Sequence, residues 1–133
     1  MFGGIMSQMA HITDFLFLSG ARAVTETNIR GKGITCIVNA TRELPCLPLS
    51  DVDYLKIPVE DLPTAPISDY FHEVSDKIYE VKKKGGKTLV HCIAGVSRSA
   101  SLCVAYLIKY EGLTLRQAYH HIKGKTNLLF LLS

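Results

Sequence analysis

Apolar and polar positions along this chain switch between two periods, and the switches mark out its elements. Ile12 to Ser19 holds the run Phe15-Leu16-Phe17-Leu18, closed by Gly20, and predicts a single strand. Residues 22–30 predict a short helix ended by Gly31 and Gly33. Ile34-Thr35-Cys36-Ile37-Val38-Asn39-Ala40 is rich in β-branched residues and apolar on both faces, as a central strand under helices must be. Residues 43–50 carry Pro45 and Pro48 and predict a loop. Tyr54 to Val59 returns to strand character, with Pro58 at its end or edge.

From Ile67, apolar residues recur at Phe71, Val74, Ile78 and Val81, steps of three and four that place them on one helical face. Lys82-Lys83-Lys84-Gly85-Gly86 supplies a cationic last turn and a glycine stop. Thr88 to Cys92 predicts a buried strand. From Val96 or Ser97 to about Glu111, the residues Ala100, Cys103, Val104, Leu107 and Ile108 predict a largely buried helix ended by Gly112. A last helix starts from Thr114 as N-cap and runs through Leu115, Ala118, Tyr119 and Ile122. Strands alternating with helices predict an α/β fold, a central, mainly parallel sheet covered on both faces.

Composition narrows the function classes. A chain of 133 residues with 47% hydrophobic and 20% charged residues predicts one globular domain. A net charge of +3 is too small and dispersed for nucleic acid as the main ligand, though it suits an anionic substrate. Cys36, Cys46, Cys92 and Cys103 form no CxxC pair and no metal-ligand spacing, and no secretory signal precedes them. Free thiols in the cytoplasm, and in the nucleus as well, are the expectation. Phe2 rather than glycine follows Met1, and Leu128-Leu129-Phe130-Leu131-Leu132 is too short to span a bilayer, so no membrane span is expected.

The chemistry is concentrated in His91-Cys92-Ile93-Ala94-Gly95-Val96-Ser97-Arg98-Ser99, between a buried strand's carboxyl end and a helix start. Ligands bind at that edge of open α/β sheets. Successive backbone N–H groups there can converge on an anion, and the helix dipole adds to the attraction. Gly95 permits a backbone turn that a side chain would hinder. Cys92 sits in the same positive field, which favours thiolate over thiol. Arg98 offers a planar fork to two phosphoryl oxygens.

His91-Cys92-x-x-Gly95-x-x-Arg98-Ser99 resembles the signature of protein tyrosine phosphatases, and Ala94-Gly95-Val96-Ser97-Arg98-Ser99-Ala100 looks like the dual-specificity subgroup. The similarity runs from about Gly3 to Lys125, including Gly33 to Thr41 and Tyr106 to Tyr110, and is greatest to the atypical dual-specificity phosphatases. The resemblance implies hydrolysis of phosphotyrosine and phosphoserine or phosphothreonine in proteins, by way of a cysteinyl-phosphate, with no cofactor and no metal. It implies Cys92 as nucleophile, and phosphate binding by Arg98 and the backbone of Ile93, Ala94, Gly95, Val96 and Ser97. Ser99 would assist the departure of Cys92, and His91 would set the cysteine's surroundings. Expulsion of the leaving oxygen needs a general acid. Glu60-Asp61-Leu62-Pro63 follows a strand end at about the family's interval before the nucleophile, which points to Asp61, later acting as base toward water.

Other readings stand beside these. Asp61 also fits a simple turn before Pro63, and Glu60 is an alternative carboxylate. Cys36 and Cys103 fall in apolar patterns and are expected in the core. His120 and His121 have no ligand-spaced partners and are expected at solvated or half-buried surface. The loop's uncharged Ile93, Ala94, Val96 and Ser97 favour phosphoprotein over phosphoinositide, and a sulfurtransferase would not need Arg98 and Ser99 at these spacings. After Lys125 the sequence departs from the family, which continues with an Arg-Pro pair, a Pro-Asn turn and a last helix. Residues 1–125 are therefore expected to form the catalytic domain and 126–133 a divergent tail. That departure leaves a rival function, a weak or inactive phosphate-binding module.

Overall fold

The structure is a computed structural model, and it describes residues 8–60, 66–93 and 97–126. Five strands, β1 (Ala10–Thr13), β2 (Leu16–Ser19), β3 (Cys36–Asn39), β4 (Asp53–Lys56) and β5 (Thr88–His91), form one sheet in the order β1-β2-β5-β3-β4. Among the described residues only the β1–β2 pair is antiparallel; β2–β5, β5–β3 and β3–β4 are parallel. Among the described residues four α-helices accompany them: α1 (Glu26–Gly31), α2 (Phe71–Lys83), α3 (Ser97–Glu111) and α4 (Leu115–Thr126). Among the described residues no helix is long and apolar enough to cross a membrane.

The two-sided apolar strands explain the two layers of core. Phe17, Ile37 and Leu89 point to one face, where they meet Ile29 of α1 and Val52. Leu16, Leu18, Val38 and Val90 point to the other, against Val74 and Ile78 of α2, Leu102, Tyr106 and Leu107 of α3, and Ala118 and Ile122 of α4. Cys36 and Cys103 are fully buried, as expected. Local signals set the helix ends. The Thr25 hydroxyl accepts from the Asn28 amide at 3.2 Å to cap α1. Thr114 and Gln117 form a reciprocal capping box at the start of α4, with bonds of 3.1 and 2.9 Å. Gly85 and Gly112, at φ +80° and +71°, follow α2 and α3 in the left-handed conformation that glycine adopts at least cost.

The predicted strand from Ile12 to Ser19 proves to be two strands joined by a tight turn at Asp14–Phe15, with Thr13 paired to Leu16. Phe15, counted with the strand, instead packs edge-on against Tyr106 at 5.9 Å. The predicted strand from Tyr54 to Val59 is shorter, ending at Lys56 before Pro58. The predicted helix over 22–30 begins as a 3-10 turn, Ala21–Ala23, before α1, and Ile67–Tyr70 is likewise a 3-10 turn leading into α2.

Candidate active site

Parallel register brings four strand ends to one level: Ser19 and Asn39 both pair with His91, and Asn39 also pairs with Lys56. The segments that leave β2, β3 and β4 therefore surround the one that leaves β5. Two of them hold it directly. The Ala21 amide donates to the Ile93 carbonyl at 2.7 Å, and the Ala40 amide to the His91 carbonyl at 2.8 Å. Cys92 lies between these two anchors and is 2% exposed.

α3 starts at Ser97 and places Arg98 and Ser99 on its first turn, turned inward. The Ser99 hydroxyl lies 3.3 Å from Cys92 Sγ. Arg98 is 7% exposed, a costly place for a guanidinium unless hydrogen bonds and opposite charge offset it. Its Nη1 donates to the Val59 carbonyl at 2.9 Å, just past β4, and stands 3.6 Å from Glu43 Oε1. Glu43 is held below the ordinary carboxylate range, first by its own backbone amide and then by Arg98. An exposed pair, Arg42 with Glu60 at 3.5 Å, ties the same two loops together.

Asn39 organises the Glu43 loop. Its side-chain amide donates to the Leu44 carbonyl at 3.0 Å, while its Oδ1 accepts from the Thr41 amide at 3.1 Å and the Thr41 hydroxyl at 2.6 Å. Thr41 in turn accepts from the Leu44 amide at 3.1 Å. Lys56 Nζ also donates to the Leu44 carbonyl. His91 is 4% exposed, with Nδ1 3.2 Å from the Cys92 carbonyl oxygen, and burial pushes its pKa down. Burial pushes the Cys36 thiol up to about 11 and the Cys103 thiol higher still, so neither is a ready nucleophile.

Of the residues singled out from sequence, the structure thus gathers His91, Cys92, Ile93, Arg98 and Ser99 at one sheet edge, with Ser97 exposed at the helix start. Asp61, Ala94, Gly95 and Val96 lie outside the described residues. His121 is half-buried and its Nε2 lies 2.7 Å from the Ile12 carbonyl oxygen, a fastening of α4 to β1. Sequence reasoning missed Asn39, Glu43 and the Val59 carbonyl. A signal existed for the first two: polar residues at and just past the carboxyl end of a central strand lie where ligands bind. A backbone carbonyl leaves no such trace.

The family described as dual specificity phosphatase, catalytic domain, matches residues 16–130. Dual specificity protein phosphatase 14 of Mus musculus is 47% identical over 123 residues, which are 92% of this chain and 62% of that protein. Dual specificity protein phosphatase 18 of Rattus norvegicus is 39% identical over 125 residues, 93% of this chain and 61% of that one. The chain therefore spans about 62% of the length of the curated relatives it matches. Among solved structures, human DUSP28 superposes with a TM-score of 0.85 at 31% identity, covering 90% of this chain and 81% of that one. A mouse putative dual specificity phosphatase complexed with zinc tungstate gives 0.83 at 32%, covering 93% and 82%.

Proposed function

Because this chain belongs to the dual specificity phosphatase catalytic-domain family, we propose that it hydrolyses phosphotyrosine and phosphoserine or phosphothreonine in proteins through a cysteinyl-phosphate on Cys92. The observation that carries this reading is the arrangement of Cys92 Sγ 3.3 Å from the Ser99 hydroxyl, beside a buried Arg98 at the start of α3.

In the first half-reaction the Cys92 thiolate attacks phosphorus and the ester P–O bond breaks, with Asp61 giving its proton to the leaving oxygen. Arg98 holds two equatorial oxygens, and the helix start and backbone amides of residues 93–98 meet the charge that builds on the phosphoryl group. In the second, water attacks phosphorus, the Asp61 carboxylate takes its proton, and the P–S bond breaks. Ser99 then donates to the sulfur as it regains negative charge. Asp61 follows Val59 by two residues, and the Val59 carbonyl holds Arg98, which supports Asp61 over a more distant carboxylate. The tungstate bound by the mouse relative is a tetrahedral oxyanion, the shape this loop would grip.

Phosphorylated proteins are the proposed substrates, and a cytoplasmic setting, extending to the nucleus, accords with four free cysteines. The phosphatase names of the relatives favour turnover over a module that only retains phosphate. Hydrolysis of a small aryl phosphate, without metal and in reductant, tests the proposal beside Cys92→Ser and Asp61→Asn. Activity abolished by the first and strongly reduced by the second is expected. A folded wild-type chain that binds phosphate without hydrolysing the ester would overturn it in favour of the binding module.

A further inference from the structure

Arg42 stands beside the site on a loop that is fixed from its start. The Ala40 amide donates to the His91 carbonyl at 2.8 Å, and the amide and hydroxyl of fully buried Thr41 donate to Asn39 Oδ1. The chain emerges at Arg42, whose side chain is 65% exposed. Glu43 Oε1 accepts from the Arg42 amide at 3.1 Å and stands 3.6 Å from Arg98 Nη1. A single carboxylate oxygen thus joins the Arg42 backbone to the guanidinium proposed to hold phosphate. On the other side Glu60, 55% exposed, follows Val59, whose carbonyl accepts from the same Arg98 nitrogen. Arg42 and Glu60 therefore flank Arg98 from two loops.

Among the described residues the Arg42 guanidinium meets one carboxylate, that of Glu60, with Nη1 3.5 Å from Oε1. That is longer than the about 2.7–3.2 Å of a hydrogen bond, and exposed pairs of this kind contribute little to stability. Arg30 is the contrast. It holds Glu26 at 2.8 Å and both oxygens of Asp51 at 2.7 and 3.2 Å, so its donors are spent on the fold. Arg42 keeps its planar fork open to a stronger oxyanion partner. A phosphate dianion seated on Arg98 would also repel Glu60, loosening the pair as substrate arrives.

Resting on the proposed phosphatase reading, we infer that Arg42 is a specificity-determining residue. It selects substrates that carry an anionic group, a carboxylate or a second phosphate, within about two residues of the phosphorylated one. The reach fits, because extended residues rise ~3.5 Å each and a neighbour two positions away lies ~7 Å along the peptide, a span that an arginine side chain covers. Glu60 sets the threshold: it holds Arg42 until a better acceptor replaces it, so a neutral flank gains nothing from the exchange.

Fluorescence anisotropy with the Cys92→Ser chain tests this, since that variant binds phosphopeptide without turning it over. Three labelled peptides of one length carry a central phosphotyrosine flanked by glutamine, by glutamate, or by one phosphoserine two residues away. The anionic peptides are expected to bind about five- to tenfold tighter than the neutral one, a preference that fades with added salt. Arg42→Ala should bring all three within about twofold, and Arg42→Lys should keep part of the preference. Glu60→Gln should tighten the anionic peptides about threefold more than the neutral one. Melting temperatures should stay unchanged, because both side chains are exposed. A greater gain from phosphoserine than from glutamate identifies a second phosphate as the anion recognised, and an equal or smaller gain a carboxylate; either supports the inference. Equal affinity for the three peptides, no binding of any, or an Arg42→Ala change that weakens all three by one factor, as a mere tie between loops would, overturns it. The wild-type chain on a small aryl phosphate judges the phosphatase reading separately: turnover without peptide preference sinks the inference alone, and preference without turnover sinks that reading alone.

Discussion

Ser99→Ala removes one hydroxyl from the site, and the structure fixes where its loss should be felt. Ser99 is fully buried and its Oγ lies 3.3 Å from Cys92 Sγ. Hydrogen bonds to charged groups contribute about 1.5–3 kcal/mol. Sulfur is a weaker acceptor than oxygen, so the lower part of that range applies, about 1.5–2 kcal/mol, or ~10- to 30-fold in rate. The bond matters most when sulfur carries charge. Formation of the cysteinyl-phosphate spends that charge and its hydrolysis restores it, so the second half-reaction should slow by this factor and the intermediate should accumulate. Rapid-mixing kinetics with a small aryl phosphate read this directly: the variant should release a burst of phenol close to the enzyme concentration, then turn over slowly. An unchanged melting temperature would confirm that the small void left by the hydroxyl is tolerated. A kcat within about twofold of wild type, or a lowered kcat without a burst, would refute the reasoning.

Three further outcomes follow from the same geometry. Glu43→Gln removes the carboxylate 3.6 Å from Arg98; because Glu43 is half-exposed, the gain in affinity for inorganic phosphate should be modest, about two- to fivefold in its inhibition constant. Asn39→Ala leaves the buried Thr41 amide and hydroxyl without their acceptor and should cost about 2–3 kcal/mol in urea unfolding, with Asn39→Asp failing to restore the bond to the Leu44 carbonyl. Burial lowers the His91 pKa, so the unfolded chain binds the extra proton first. Stability should be greatest above the usual histidine value of 6.5 and fall as pH drops from there through the lowered native value. Melting temperatures at graded pH should show this decline, and His91→Gln should flatten it.

Elements whose pattern is set by burial were legible in the sequence. α2, α3 and α4 emerged from steps of three and four, and β3 and β5 from apolar runs, because the same core faces that stabilise them dictate those patterns. The β1–β2 hairpin was not legible. Its turn residue Phe15 is apolar for the sake of Tyr106, a partner 91 positions away, so the run reads as one continuous strand. At the site, the spacing of Cys92, Arg98 and Ser99 is short-range and visible within one loop. What holds Arg98 in place comes from two other loops, and only the folded sheet brings Glu43 and the Val59 carbonyl to it.

That assembly depends on strand register, which hydrophobic pattern alone sets poorly here. β2, β3 and β5 are buried on both faces, so a one-residue slip would exchange one apolar side chain for another at little cost. The strands differ from such interchangeable runs at their carboxyl ends, where Ser19, His91, Asn39 and Lys56 stand in one row across four strands. Ser19, Asn39 and His91 are nearly or fully buried, and each has a backbone carbonyl within hydrogen-bond distance: Gly20, Leu44 and Cys92, respectively. A slip would pull such a group into the apolar layer and strand it there, at a cost of about 1–3 kcal/mol each. The polar row therefore acts as the stop that aligns the strands. The same stop sets the level at which the chain turns from core to chemistry, so Cys92 is held, one residue beyond it, where the loops that reach Arg98 can meet it.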